Sequence, residues 1–171
     1  ISKIVVPIAK DETGGTLFDK LAEAGAKLLV ETLPHIFDGT AVYEKQPEES
    51  PTPYAGMITK QMGLINFGKS AEELERLVRG LNPWPSAFTF WNGKTLKVWE
   101  SFVVKSEEAG AEKSEPGTVV KTDKKGIYVA CGEDVLVLSQ VQLEGKKRMD
   151  ADAFLRGCHI ETGSRFTDKK E

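Results

Sequence analysis

Two cysteines, two histidines and the absence of a glycine-rich phosphate loop leave this sequence short of the usual parts of an active site. Cys131 and Cys158 show no CxxC spacing, and two thiols in 171 residues make no disulfide scaffold. A reduced, cytoplasmic protein is the reading. His35 and His159 stand apart from each other and from both cysteines, so no metal-ligand spacing is present. Cys131 has no flanking His or Lys to lower its pKa and reads as a packed thiol. Thr13-Gly14-Gly15-Thr16 lacks the lysine and the spacing of a nucleotide loop and reads as a helix cap. No serine sits in a nucleophile-elbow sequence. The carboxylate pairs Glu72/Glu73 and Glu107/Glu108 fall on solvent faces or loops, without the burial that raises a carboxylate for acid catalysis. The expected catalytic, cofactor-binding and metal-ligating residues are therefore none.

Long apolar runs are also missing. Nothing approaches the ~20 apolar residues of a membrane helix, so no membrane partner is expected. There is no basic excess: the net charge is −3, and residues 116–171 carry 10 Lys/Arg against 9 Asp/Glu. Free-standing nucleic-acid binders usually show such an excess, so any anion binding must come from local clusters. At 40% hydrophobic and 29% charged the chain is globular. It begins without Met, inside a strand-like run, and so reads as a piece of something longer.

Ser2–Ala9 reads as a short strand. Leu17, Leu21, Ala24, Leu28, Leu29, Leu33 and Ile36 form a helical stripe ending at Gly39, with Gly25 as a kink or break. Glu44–Pro53 is polar and proline-rich, hence a linker. Ser70-Ala71-Glu72-Glu73 is a capping box ahead of Leu74, Leu77, Val78 and Leu81. From Ala87 the period becomes two. Asn92-Gly93 is a hairpin turn that pairs Trp91 with Lys94 and Thr89 with Leu96. Thr89, Trp91, Leu96 and Val98 then share one face, and Phe88, Phe90 and Trp99 the other. Ser106–Pro116 reads as a mobile loop. Gly117–Thr122, Gly126–Ala130, Val135–Ser139 and Val141–Leu143 read as further strands, and Asp150 caps a helix over Ala151–Arg156. Short strands at this spacing suggest a small OB-type barrel.

The basic groups that stand out are Lys60, Arg76, Arg79, Lys124-Lys125 and Lys146-Lys147-Arg148. As a set near flexible connections they suit phosphate contact, which gives affinity without reading sequence. Trp84, Trp91 and Trp99 read as core residues. On that reading Trp99→Ala costs roughly 3–5 kcal/mol.

Several phrases resemble the methionyl-tRNA formyltransferase family. They are Thr52-Pro53-Tyr54-Ala55, Arg79-Gly80-Leu81-Asn82-Pro83-Trp84-Pro85, the strand Gly93–Trp99, Pro116-Gly117-Thr118-Val119 and Gln142-Leu143-Glu144-Gly145-Lys146-Lys147-Arg148-Met149. Upstream, Asp11–Leu21 with Gly25-Ala26 and Leu28-Leu29 looks like the final helices of that family's formyltransferase domain. The resemblance implies formyl transfer from 10-formyltetrahydrofolate to the amino group of initiator methionyl-tRNA. The family's catalytic Asn, His and Asp have no counterpart here. The tRNA-binding positions it implies are Lys60, Arg79, Lys146, Lys147 and Arg148. Met57, Leu64 and Asn66 stand where relatives commonly carry charged residues.

The expected architecture is an α/β fragment, a strand plus helices from the end of a Rossmann-like domain. A mainly antiparallel β-barrel of OB/Greek-key type with flanking helices follows it. The expected division is 1–40 for the formyltransferase-domain end, 41–66 for the linker and 67–171 for the barrel. The chain is expected to be a monomer, inactive without its missing N-terminal catalytic domain. The alternatives are a non-catalytic RNA-binding or structural module, and a fragment of a sugar-nucleotide formyltransferase.

Overall fold

A computed structural model describes residues 1–50 and 52–169. Pro51 of the expected linker and Lys170 and Glu171 of the expected barrel lie outside the described residues. The chain divides into two compact units, Ile1–Ile58 and Thr59–Glu171.

The first unit is built on α1 (Gly14–Phe37). Thr13 caps it: its Oγ1 accepts from the Thr16 N–H at 3.1 Å, and the Thr16 hydroxyl accepts from the Thr13 N–H at 3.0 Å. The helix runs through Gly25 without the expected break. One interior glycine costs only about 1 kcal/mol relative to alanine, too little to divide 24 residues. Gly39, at φ +76°, lies in the left-handed region just past the helix end, as the sequence suggests. Ser2–Ala9 corrects the expected strand. A strand exists by pairing, and no described residue of this unit offers an edge to pair with. The α/β fragment is thus one helix with irregular flanks. No residue of α1 is buried, and Phe18, Val30 and Phe37 are 73, 70 and 81% exposed.

The second unit opens with a 3-10 turn, Lys60–Gly63, and then Ile65, which is fully enclosed. Gly63 and Ile65, near the end of the stretch read as linker, are therefore buried in this unit. Ser70 caps α2 (Ala71–Gly80): its Oγ accepts from the Glu73 N–H, and the Glu73 carboxylate accepts from the Ser70 N–H, both at 3.3 Å. Leu74 and Val78 enter the core. The hairpin follows as β1 (Ala87–Trp91) and β2 (Lys94–Val104), in the register expected. Asn92 and Gly93 both take positive φ, +47° and +69°, which this two-residue turn requires.

The remaining strands are β3 (Val119–Asp123), β4 (Gly126–Ala130), β5 (Val135–Leu143) and β6 (Met149–Asp150), and α4 (Ala151–Gly157) follows. Together they form a six-stranded antiparallel sheet of order β1-β2-β5-β4-β3, with β6 on β5. The two strands expected at 135–143 are one. Strand pairing alone leaves β1 and β3 as edges. The tail runs between them: Phe90 and Thr167 exchange backbone hydrogen bonds at 3.1 Å, and the Phe166 N–H donates to Gly117 O at 2.9 Å. The main core gathers Leu74, Leu96, Ile127, Leu138 and Phe154 under α2 and α4. A smaller cluster of Ala111, Tyr128, Val135 and Val137 covers the other face. The expected loop at 106–116 carries a short helix, α3 (Ser106–Ala109), and it buries Ala111 in that cluster.

Asp134 anchors α3. Its carboxylate accepts from Lys105 Nζ at 2.8 Å and from the Ser106 N–H at 3.3 Å. The Lys105 hydrogen bond holds the Asp134 carboxyl below its ordinary value. A carboxyl lowered on folding stabilises above the unfolded value, and that contribution is lost as the pH falls through the folded value. Asp134→Asn keeps a side chain that tolerates the φ of +62°. It should lower the thermal midpoint at pH 7, and the gap to the wild type should be smaller at about pH 3, below the unfolded carboxyl value. Thermal melts at both pH values check this; a gap unchanged in acid contradicts it.

Candidate functional site

The site is set by an irregularity in the β2–β5 ladder. Val98 faces Val141, Glu100 faces Gln140, and Ser101 faces Leu138. Trp99 is therefore an extra residue on β2, and Ser139 an extra residue on β5. A bulge re-aims the side chains beyond it. On β2, Leu96 and Val98 enter the main core before the bulge and Val103 packs on it afterwards, a change from even to odd positions. On β5 the same change separates Leu136 and Leu138 from Val141 and Leu143. Unbroken alternation from Leu96 and Val98 would send the Glu100 carboxylate inward. The paired bulges bring it to the surface.

Arg148, in the turn between β5 and β6, gathers these groups. Its guanidinium lies 4.8 Å from the Trp99 ring centroid and donates to Glu100 Oε1 at 3.1 Å, while its Nε donates to Gln140. Trp99 Nε1 donates to Gln142 Oε1 at 3.1 Å, and Gln142 Nε2 donates to the Lys146 carbonyl at 2.9 Å. The ring thereby fixes the turn that carries Lys146 and Lys147. From the other side Asn82 Nδ2 donates to the Trp99 carbonyl at 3.1 Å. Lys97, paired with Gln142 in the ladder, sets its Nζ 5.7 Å from the same ring. Thr95, Lys97, Gln142, Leu143, Glu144 and Gly145 line a shallow hollow of about 290 Å³.

The five positions named from the sequence separate into two kinds. Lys146, Lys147 and Arg148 come together in this cluster, and among the described residues neither lysine makes an ion pair. Arg148 is occupied by Glu100. Arg79 is half-buried and bonded to Glu75 at 2.5 Å at the far end of α2. Lys60 is exposed in the 3-10 turn, and no hydrogen bond or ion pair joins it to the cluster among the described residues. Lys97, Gln142 and Trp99 were missed as site residues. The hairpin register had already placed Trp99 opposite Leu96 and Val98, and that was the available signal. Trp99 is half-buried on the outer face, which corrects its assignment to the core, and Trp84 is 57% exposed. Trp91 does pack on the main core, edge-on to Phe154.

Among the described residues no three His, Cys, Asp or Glu side chains are placed to hold a metal. Burial pushes the Cys131 thiol up to about 12, so it stays protonated. His35 Nδ1 lies 2.9 Å from the Thr40 hydroxyl in an exposed turn.

Residues 57–159 match the family model described as formyl transferase, C-terminal domain. The chain belongs to this family. It is 53% identical over 167 residues to the methionyl-tRNA formyltransferase of Agathobacter rectalis, covering 98% of this chain and 52% of that protein. To the methionyl-tRNA formyltransferase of Bacillus subtilis it is 47% identical over 164 residues, covering 95% and 50%. The chain thus spans about half the length of the curated relatives it matches. The crystal structure of HypX from Aquifex aeolicus in complex with tetrahydrofolic acid aligns with a TM-score of 0.59 at 12% identity, over 86% of this chain and 25% of that one. At that identity the likeness is one of fold.

In this formyl transferase C-terminal domain, Trp99→Ala removes one hydrogen bond, worth about 1 kcal/mol, and two cation–π contacts, worth about 0.5 kcal/mol each at so open a position. Urea unfolding should show a loss of about 2 kcal/mol. A loss above about 4 kcal/mol would return Trp99 to the core.

Proposed function

We propose that this chain is the C-terminal part of a methionyl-tRNA formyltransferase and that its share of the work is to hold tRNA. The whole enzyme would transfer formyl from 10-formyltetrahydrofolate to the amino group of initiator methionyl-tRNA, for translation initiation in the cytoplasm. The observation that carries this reading is the Trp99 cluster: the turn of Lys146 and Lys147 is tied through Gln142 and Trp99 to Lys97, and no ion pair engages these lysines among the described residues, in a domain whose relatives bear that name. Lysines so placed supply phosphate contact, which orients a nucleic acid without reading its sequence. An RNA held there would present its acceptor end to a site on the missing N-terminal catalytic domain.

The fold supports the same division of labour. The tail between β1 and β3 suits a barrel of the OB/Greek-key type. The exposed Phe18, Val30 and Phe37 of α1 suit packing against the rest of a catalytic domain. On this reading residues 1–40 end that domain, 41–66 connect and 67–171 form the tRNA-contacting unit, in a protein that works as a monomer. No described helix is long and apolar enough to cross a membrane.

On this reading the folate donor belongs to the catalytic domain, and this chain's own contribution is to bind and orient RNA.

Two measurements test this. With methionyl-tRNA and formyl donor, the chain alone should show no turnover; robust turnover would overturn the division of labour. Binding to initiator tRNA should weaken linearly in log[salt], with a slope of several phosphate contacts. A flat salt response would remove the tRNA role.

A further inference from the structure

The Trp99 cluster contains more cation than it can present. Arg148 has its Nε on Gln140, one of its two terminal nitrogens 3.1 Å from Glu100 and its guanidinium 4.8 Å from the Trp99 ring centroid. A phosphate reaching those two nitrogens would have to displace Gln140 or Glu100. The Trp99 ring carries that guanidinium at 4.8 Å and Lys97 Nζ at 5.7 Å, so it is engaged rather than offered to a base. Glu144 lines the hollow beside it, and its carboxylate accepts from the Thr95 N–H at 3.0 Å. What remains is the rim. Lys97 stands on the strand side. Lys146 and Lys147 stand on the turn side, tied to the strand by the Gln142 bridge between the Trp99 indole and the Lys146 carbonyl.

We infer that Lys97, Lys146 and Lys147 form one rim that contacts neighbouring phosphates of an RNA strand, while Trp99 and Arg148 are positioning residues that set the rim and do not touch the RNA. This rests on the tRNA-holding reading above. It adds Lys97 as a contact and removes Arg148 from the contacts. Lys97 gains its place from the hairpin register, which puts it in the row Phe88–Lys97–Gln142 across three strands. A compact ammonium on a flexible stem suits phosphodiester oxygens as a point charge.

The test is a salt series of initiator tRNA binding to the 171-residue chain, comparing wild type, Lys97→Ala, Arg148→Gln and the exposed control Lys113→Ala. Lys97→Ala should reduce the salt slope by about 1 and weaken binding about five- to tenfold at 0.1 M salt. It should do so equally for initiator and elongator tRNA, since phosphates carry no sequence. Arg148→Gln should weaken binding with the slope unchanged, and Lys113→Ala should match the wild type. If the wild type binds and Lys97→Ala binds with the same slope, the rim is wrong while the tRNA role stands. If Arg148→Gln loses a full contact, its positioning role is wrong. If the wild type shows no salt-dependent binding, the tRNA reading fails and the rim with it.

Discussion

The paired bulges at Trp99 and Ser139 are the constraint on which the surface chemistry depends. A β-ladder alternates its faces strictly, and a one-residue slip exchanges them. Here both strands slip by one at the same place, so Leu96–Val98 and Val141–Leu143 face the core on one side of the slip. Val103, Leu136 and Leu138 do so on the other. The core stays continuous. Glu100 and Gln140 come out to the surface beside each other, where they hold Arg148 over Trp99. Remove the slip and Glu100 would enter the core, at a desolvation cost no neighbour offsets.

The rest of the unit keeps that pair of strands in register. Asn92-Gly93 starts β2 in the right phase, and Asn82, just past α2, reaches the Trp99 carbonyl that the bulge exposes. The tail from Arg165 to Thr167 bridges the sheet edges, so β1 is supported on both sides. Arg79 belongs to this scaffold as well: its half-buried contact with Glu75 braces α2.

Much of this was legible in the amino-acid sequence. The Ser70 capping box, the Asn-Gly turn and its register all rest on local chemistry, and each was found where the residues placed it. The phrase Leu143–Met149 pointed to the family, and the comparisons agree. Three features were not legible, for physical reasons. The interruption at Ser139-Gln140 was visible but read as a gap between strands, because a bulge and a short loop break an apolar period in the same way. Trp99 was taken for core because an aromatic residue in a strand says nothing about which face is covered. Ser2–Ala9 has the apolar content of a strand, and composition does not reveal whether an edge is present to receive it.

On the proposed function, one outward-facing cluster, built by a register slip, makes the contact with RNA. Heteronuclear NMR of the chain titrated with initiator tRNA tests that link most directly. The Trp99 indole N–H and the Lys97, Lys146 and Lys147 amides should shift together, while the Trp91 indole, packed against Phe154, stays in place. Shifts confined to β3 and β4, with the Trp99 indole unmoved, would contradict it.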